Sequence, residues 1–153
     1  MEKTLVIIKP SGVQRGLVGE VIRRFELKGL QLCGMKITLL DEQVLHEHYA
    51  HLSKESYFGR ILTSMTSSPV VLLCLSGVEC VQVVRTMAGI TNGRVAPMGT
   101  IRGDLSMSMQ ENIVHTSDST ENAKIEIDRF FKPHEIVDYA RVNHSVIYAT
   151  NEV

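Results

Sequence analysis

The stretch "NIVHTSDS", Asn112 to Ser119, sets one histidine against a short apolar run and follows it with small polar residues. A neutral imidazole is one of the few side chains that is nucleophilic near pH 7, and a carboxylate hydrogen-bonded to one ring nitrogen raises the basicity of the other. Glu126 lies on the next predicted helix, close enough in sequence to be that carboxylate, and Ser117 can hydrogen-bond locally. Taken alone, a histidine in this setting is more often a partly buried residue satisfied by backbone. Its neighbours make His115 a candidate phosphoryl acceptor. Such chemistry needs an in-line nucleophile, cations on the phosphate oxygens and a donor that usually carries Mg2+. Lys9 at the end of the first predicted strand, Arg85 in a short helix and Arg102 in a long loop are candidate cations, and only their convergence would make a site.

Other chemistries are excluded by spacing. No G-x-x-x-x-G-K-[ST] is present and no G-x-G-x-x-G follows a strand, so any phosphate must be held by side chains. "LHEHYAHL" fails as a zinc helix because His46-Glu47 is followed at the required place by Ala50. His48 and His51 read as polar residues of a solvated helix. Cys33, Cys74 and Cys80 contain no CxxC and read as core filler in a reducing compartment.

The elements that must position these residues follow from periodicity. "KTLVII" is rich in β-branched residues and stops at Lys9-Pro10, which predicts a buried strand. Val18, Val21, Ile22 and Phe25 fall on one face of a helix that closes at Gly29. "LQLCGMKITLL" predicts a second strand, Asp41 the cap of a helix with a second piece near "YFGRILTSMTSS", and "PVVLLCLS" a third strand. "GVECVQVVRTMAG" predicts a short helix, and "ITNGRVAPMGTIRGD" a long loop of the kind that carries function. A brief strand is expected to end at His115, and Asp118 with Glu121 predicts the capped start of a helix through Ala123, Ile127, Phe130 and Phe131. This order contains the split βαβ arrangement with an antiparallel sheet; a doubly wound parallel sheet is the competing reading.

The chain is 153 residues long, 44% hydrophobic and 22% charged, which suits one globular domain spanning 1–153. A net charge of -1 and 5% aromatic content supply no basic, aromatic-interleaved surface, so nucleic acid is not an expected partner. No apolar run approaches a membrane span and no signal segment is evident, so a cytoplasmic protein without membrane partners is expected.

Three blocks, "KPSGVQRGLVGEVIRRFELKG", "GTIRGD" and "NIVHTSDS", together with "HYAHL" and "FFKPHEIVDY", resemble the nucleoside diphosphate kinase family over essentially the whole chain. The resemblance implies an α+β, ferredoxin-like βαββαβ fold, with a four-stranded antiparallel sheet covered by helices. It also implies reversible ping-pong transfer of the γ-phosphate from a nucleoside triphosphate, typically ATP, to a nucleoside diphosphate through phosphohistidine at Nδ1 of His115. Glu126 would orient His115, assisted by Ser117. Lys9, Tyr49, Arg85, Thr91, Arg102 and Asn112 would contact phosphates or ribose, and Tyr57 would stack on the base in place of a usual Phe, opposite Met109 in place of a usual Val. Mg2+ would be bound mainly through nucleotide phosphates and water. A homo-oligomer is implied, a hexamer ahead of a tetramer. The sequence departs from the family pattern at Ser11, Thr116, Gly93 and Met98, the last two in a loop used for subunit contacts. The competing functions are a ferredoxin-like binding module that has lost its chemistry and another phosphohistidine enzyme such as a phosphocarrier. A decayed site should lack Lys9, Arg102, His115 or Glu126, and a phosphocarrier should lack the other blocks.

Overall fold

Alternation along the strands decides the architecture. In the computed structural model, which describes residues 1–152, β1 (Glu2–Ile8), β2 (Gln31–Thr38), β3 (Val70–Gly77) and β4 (Val114–Thr116) form one sheet. The order is β2-β3-β1-β4 and every pairing is antiparallel. The central strand β3 is buried at every position, which is why it reads as a continuous apolar run. Val6, Ile8, Leu73 and Leu75 join Val21, Phe25 and Val84 in one core layer, while Leu5, Ile7, Leu72 and Cys74 join Leu45, Phe58 and Phe130 in the other. The period of two thus gives the sheet two buried faces. Each such side chain contributes roughly 1.5–3 kcal/mol by leaving water.

The helices are α1 (Pro10–Gln14), α2 (Val18–Lys28), α3 (Glu42–His48), α4 (Phe58–Thr66), α5 (Cys80–Ala88), α6 (Ile101–Leu105), α7 (Thr120–Phe130) and α8 (His144–Ile147). With α3 and α4 inserted between β2 and β3, the chain is α+β with the ferredoxin-like βαββαβ order. Gly29 closes α2 in the left-handed region at φ 101°, as its position predicts. Asp41 caps α3, its Oδ1 accepting from the Val44 N–H at 2.8 Å.

Several local expectations change. The long loop contains a turn of 3-10 helix at Gly93–Val95 and the whole of α6. A Cβ at Gly93 would collide with the carbonyl oxygen and side chain of Ser106, which explains why Gly stands there. The cap of α7 is Ser119, whose Oγ accepts from the Asn122 N–H at 3.1 Å; Asp118 instead accepts from the Asn122 side chain at 2.6 Å. β4 continues past His115 to Thr116, which pairs with Val6. Cys33, Cys74 and Cys80 are buried free thiols, and burial pushes Cys74 and Cys80 up to about 12.

Candidate active site

The site begins with a strained turn. Ile113 is fully buried and has φ 72°, a left-handed conformation that β-branched residues avoid. The Val114 N–H donates to the Asn112 carbonyl at 2.8 Å, so Ile113 is the centre of a γ-turn of the rarer, strained hand. Strain of this kind costs about 1–3 kcal/mol and persists only where surroundings over-determine it. Here the Ile113 carbonyl accepts from the Lys9 N–H at 2.8 Å, which ties the turn to the end of β1. The turn sets Asn112 beside the Lys9 side chain and delivers His115 to the middle of β4, opposite Ile7.

His115 Nε2 lies 3.1 and 3.2 Å from the two carboxylate oxygens of Glu126, which projects from α7. An ionised carboxylate only accepts, so Nε2 carries the hydrogen and Nδ1 keeps its lone pair. Nδ1 has no hydrogen-bond partner among the described residues. Ser117, fully buried, donates to Glu126 Oε2 at 2.5 Å, and its Oγ accepts from the Leu5 N–H at 3.3 Å. A chain of hydrogen bonds therefore runs from the β1 backbone to the imidazole. Burial alone would push the Glu126 carboxyl up; the hydrogen bond and charge of His115 and the hydrogen bond from Ser117 outweigh it and hold the carboxyl below its usual range.

The cations converge as the sequence requires. Lys9 Nζ donates to Asn112 Oδ1 at 2.7 Å and to the Gln110 carbonyl at 3.2 Å, leaving one N–H free. Burial first, then the Arg102 charge, brings Lys9 down to about 8, against an opposing pull from Glu111. Arg102 is largely buried and donates to the carbonyls of Gly89, Val114 and Asn112 at 2.6, 2.7 and 3.3 Å. Each terminal nitrogen of its guanidinium keeps one hydrogen for a ligand. Burial, then the neighbouring Arg85, lowers Arg102 to about 10, so it is charged at neutral pH. Arg85 on α5 is exposed and unpaired among the described residues. Asn112 uses both amide hydrogens on the Thr91 and Met109 carbonyls, each at 2.9 Å, and acts here as a brace between loops.

Lys9, Arg85, Arg102, Asn112, His115 and Glu126 line one cleft of about 1580 Å³, together with Tyr49, Tyr57, Thr91 and Met109, while Ile113 and Ser117 lie behind its wall. Tyr49 is buried, which pushes its phenol up and keeps the hydroxyl a donor. A cleft with a free imidazole nitrogen, the cations Lys9, Arg85 and Arg102 and the Tyr57 ring suits a nucleotide polyphosphate. The family model described as nucleoside diphosphate kinase matches residues 2–136. The chain belongs to the nucleoside diphosphate kinase family. A nucleoside diphosphate kinase of Parabacteroides distasonis is 58% identical over 152 residues, covering 99% of each chain. A halophilic nucleoside diphosphate kinase from Halobacterium salinarum in complex with CDP superposes with a TM-score of 0.94 at 38% identity, over 96% of this chain and 98% of that one. The Borrelia burgdorferi enzyme, a transition state mimic with bound vanadate and ADP, gives a TM-score of 0.89 at 35% identity over 95% of each chain. As a nucleoside diphosphate kinase the protein is a nucleotide-binding phosphotransferase.

Two features of this kinase are poorly encoded in its sequence. The Ile113 turn carries no sequence signal, because Ile is among the least expected residues at positive φ. His48, read as a solvated helix residue, has a side chain with no exposure, and its ring lies 4.4 Å from that of His115. The apolar Leu45 and Tyr49, which flank His48 on the same turn and are themselves buried, were the available signal.

Proposed function

We propose that the kinase works by a reversible ping-pong reaction with Nδ1 of His115 as the phosphoryl acceptor. The observation that carries this reading is the pairing of Nε2 with Glu126, which leaves Nδ1 as the one nucleophilic nitrogen on a cleft-lining ring. In the first half-reaction the Nδ1 lone pair forms a bond to the γ-phosphorus of a nucleoside triphosphate. The bond to the bridging oxygen breaks, and the nucleoside diphosphate departs with that electron pair. The ring then carries a positive charge that Glu126 offsets across the Nε2–H bond, with Ser117 holding the carboxylate in place. In the second half-reaction a terminal oxygen of another nucleoside diphosphate attacks the phosphohistidine, and the steps reverse.

Arg102, Arg85, Tyr49 and Thr91 are assigned to phosphate oxygens, Lys9 to phosphate or ribose, and Asn112, whose amide hydrogens are taken, to a ribose hydroxyl through the remaining lone pair of Oδ1. Tyr57 stacks on the base, which reads its π-face and no donor pattern, so purine and pyrimidine are both accepted. Among the described residues the one cluster of metal-type ligands is His48, His115 and Glu126, two imidazoles and a carboxylate, whereas Mg2+ demands oxygen. Mg2+ accordingly fits as an ion held by the substrate's phosphates and water. When bound, it would supply positive charge that offsets the charge developing on the phosphates.

The functional unit proposed is a single domain over 1–153, acting in the cytoplasm. Among the described residues no helix is long and apolar enough to cross a membrane. A homo-oligomer is supported by the edge strand β2 and its continuation, where Met35, Ile37 and Leu39 are exposed on one side, and a hexamer ahead of a tetramer is what the family resemblance implies. Incubation with Mg2+ and γ-labelled ATP, then a chase with a different nucleoside diphosphate, tests the reaction. An acid-labile, base-stable label on the protein should pass to the chase nucleotide; continued transfer by His115→Ala would refute the assignment.

A further inference from the structure

His48 is the buried polar group that the reaction leaves unused. It ends α3, packed edge-on against His115 at 4.4 Å and 75°, with Tyr49 and Phe130 on its flanks. Its Nδ1 lies 3.4 Å from Arg129 Nη1 and 3.8 Å from Glu126 Oε1, while Nε2 has no partner among the described residues. An imidazole buried with an unpaired nitrogen is a costlier filler than Leu or Phe. A guanidinium can only donate, so Arg129 fixes the form of His48 whose lone pair is on Nδ1 and whose hydrogen is on Nε2. Burial first, then the neighbouring His115, brings His48 down to about 3, which keeps it neutral.

The consequence lies in what Arg129 would otherwise touch. Its Nε is 3.9 Å from the exposed Glu47, and its Nη1 and the Glu126 carboxylate both approach the same atom, Nδ1 of His48, at 3.4 and 3.8 Å. Without an acceptor at position 48, Nη1 can turn to the buried Glu126 as well as to the exposed Glu47, and the charge pair is stronger in the drier place. An arginine on that carboxylate would draw charge from the Nε2–H bond of His115 and make Nδ1 less basic.

We propose that His48 is a positioning residue, whose ring walls one face of the His115 imidazole and whose Nδ1 holds Arg129 off Glu126. This rests on His115 being the nucleophile, so labelling of wild-type protein at His115 is established first; failure there overturns that assignment and not the His48–Arg129 contact. The test is the single-turnover rate of His115 phosphorylation by Mg-ATP in His48→Leu, His48→Gln and His48→Leu/Arg129→Leu. His48→Leu should slow phosphorylation by about 100-fold, the double variant should recover about tenfold over it, and His48→Gln, which keeps an acceptor for Arg129, should lose less than His48→Leu. A packing role alone predicts no recovery on removing Arg129. Ring-nitrogen NMR of the wild-type protein should find His48 neutral and protonated on Nε2. Wild-type rate in a folded His48→Leu, absence of recovery in the double variant, or a proton on Nδ1 of His48 would each overturn the proposal. If His48→Leu does not fold, the NMR result and a His48→Gln rate near wild type are expected, and a proton on Nδ1 overturns it.

Discussion

Lys9 shows how one residue's surroundings set a measurable property. Its ammonium is held in a largely buried place beside Arg102, and its ordinary value falls to about 8. A lysine with a lowered value carries its charge below that pH and loses it above, so kcat/KM should fall as pH rises through about 8 in the free enzyme. That alkaline limb should vanish in Lys9→Ala, whose activity is low at every pH, and a pH–rate profile of the two proteins checks it. Ser117→Ala removes the donor to Glu126 and the acceptor for the Leu5 N–H; a hydrogen bond to a charged group suggests a loss of about 1.5–3 kcal/mol in chemical denaturation. The residues proposed for this chemistry were legible in sequence because Lys9, Arg102 and His115 stand in recognisable blocks and Glu126 falls on the helix predicted just after the last of them. His48 and Ile113 were not, because their roles depend on contacts with α7 and β1 that no local pattern encodes.

At the scale of elements, α7 matters because it delivers Glu126. Its N-terminus is capped by Ser119, so Ser119→Ala should cost about 1 kcal/mol by thermal or chemical denaturation, and Asp118→Ala should cost less. Equal losses would return the cap to Asp118. Sequence pattern misplaces this cap by one residue because Asp118, Ser119 and Thr120 all qualify chemically, and only the backbone path chooses among them. The same ambiguity hides the break between α1 and α2: Val13, Leu17 and Val21, four apart, keep an apolar face going while Gly16, at φ 68°, turns the chain. Strands were easier to read, since β1 and β3 are buried on both faces and appear as unbroken apolar runs.

For the whole molecule, the C-terminal end of β1, the middle of β4 and α6, which carries Arg102, meet at a single cleft. The exposed apolar side of β2 and its continuation is the surface on which the proposed oligomer depends. Light scattering after size exclusion should give six chains, and Ile37→Glu should yield a smaller particle; a wild-type monomer would remove the oligomer from the account. At the centre of the proposed mechanism, Glu126 holds Nε2 and so leaves Nδ1 to take the phosphate. Ring-nitrogen NMR of the protein phosphorylated by Mg-ATP, with His115 assigned, tests this directly. The phosphate is expected on Nδ1 with hydrogen retained on Nε2; phosphate on Nε2, or on any residue other than His115, would contradict it.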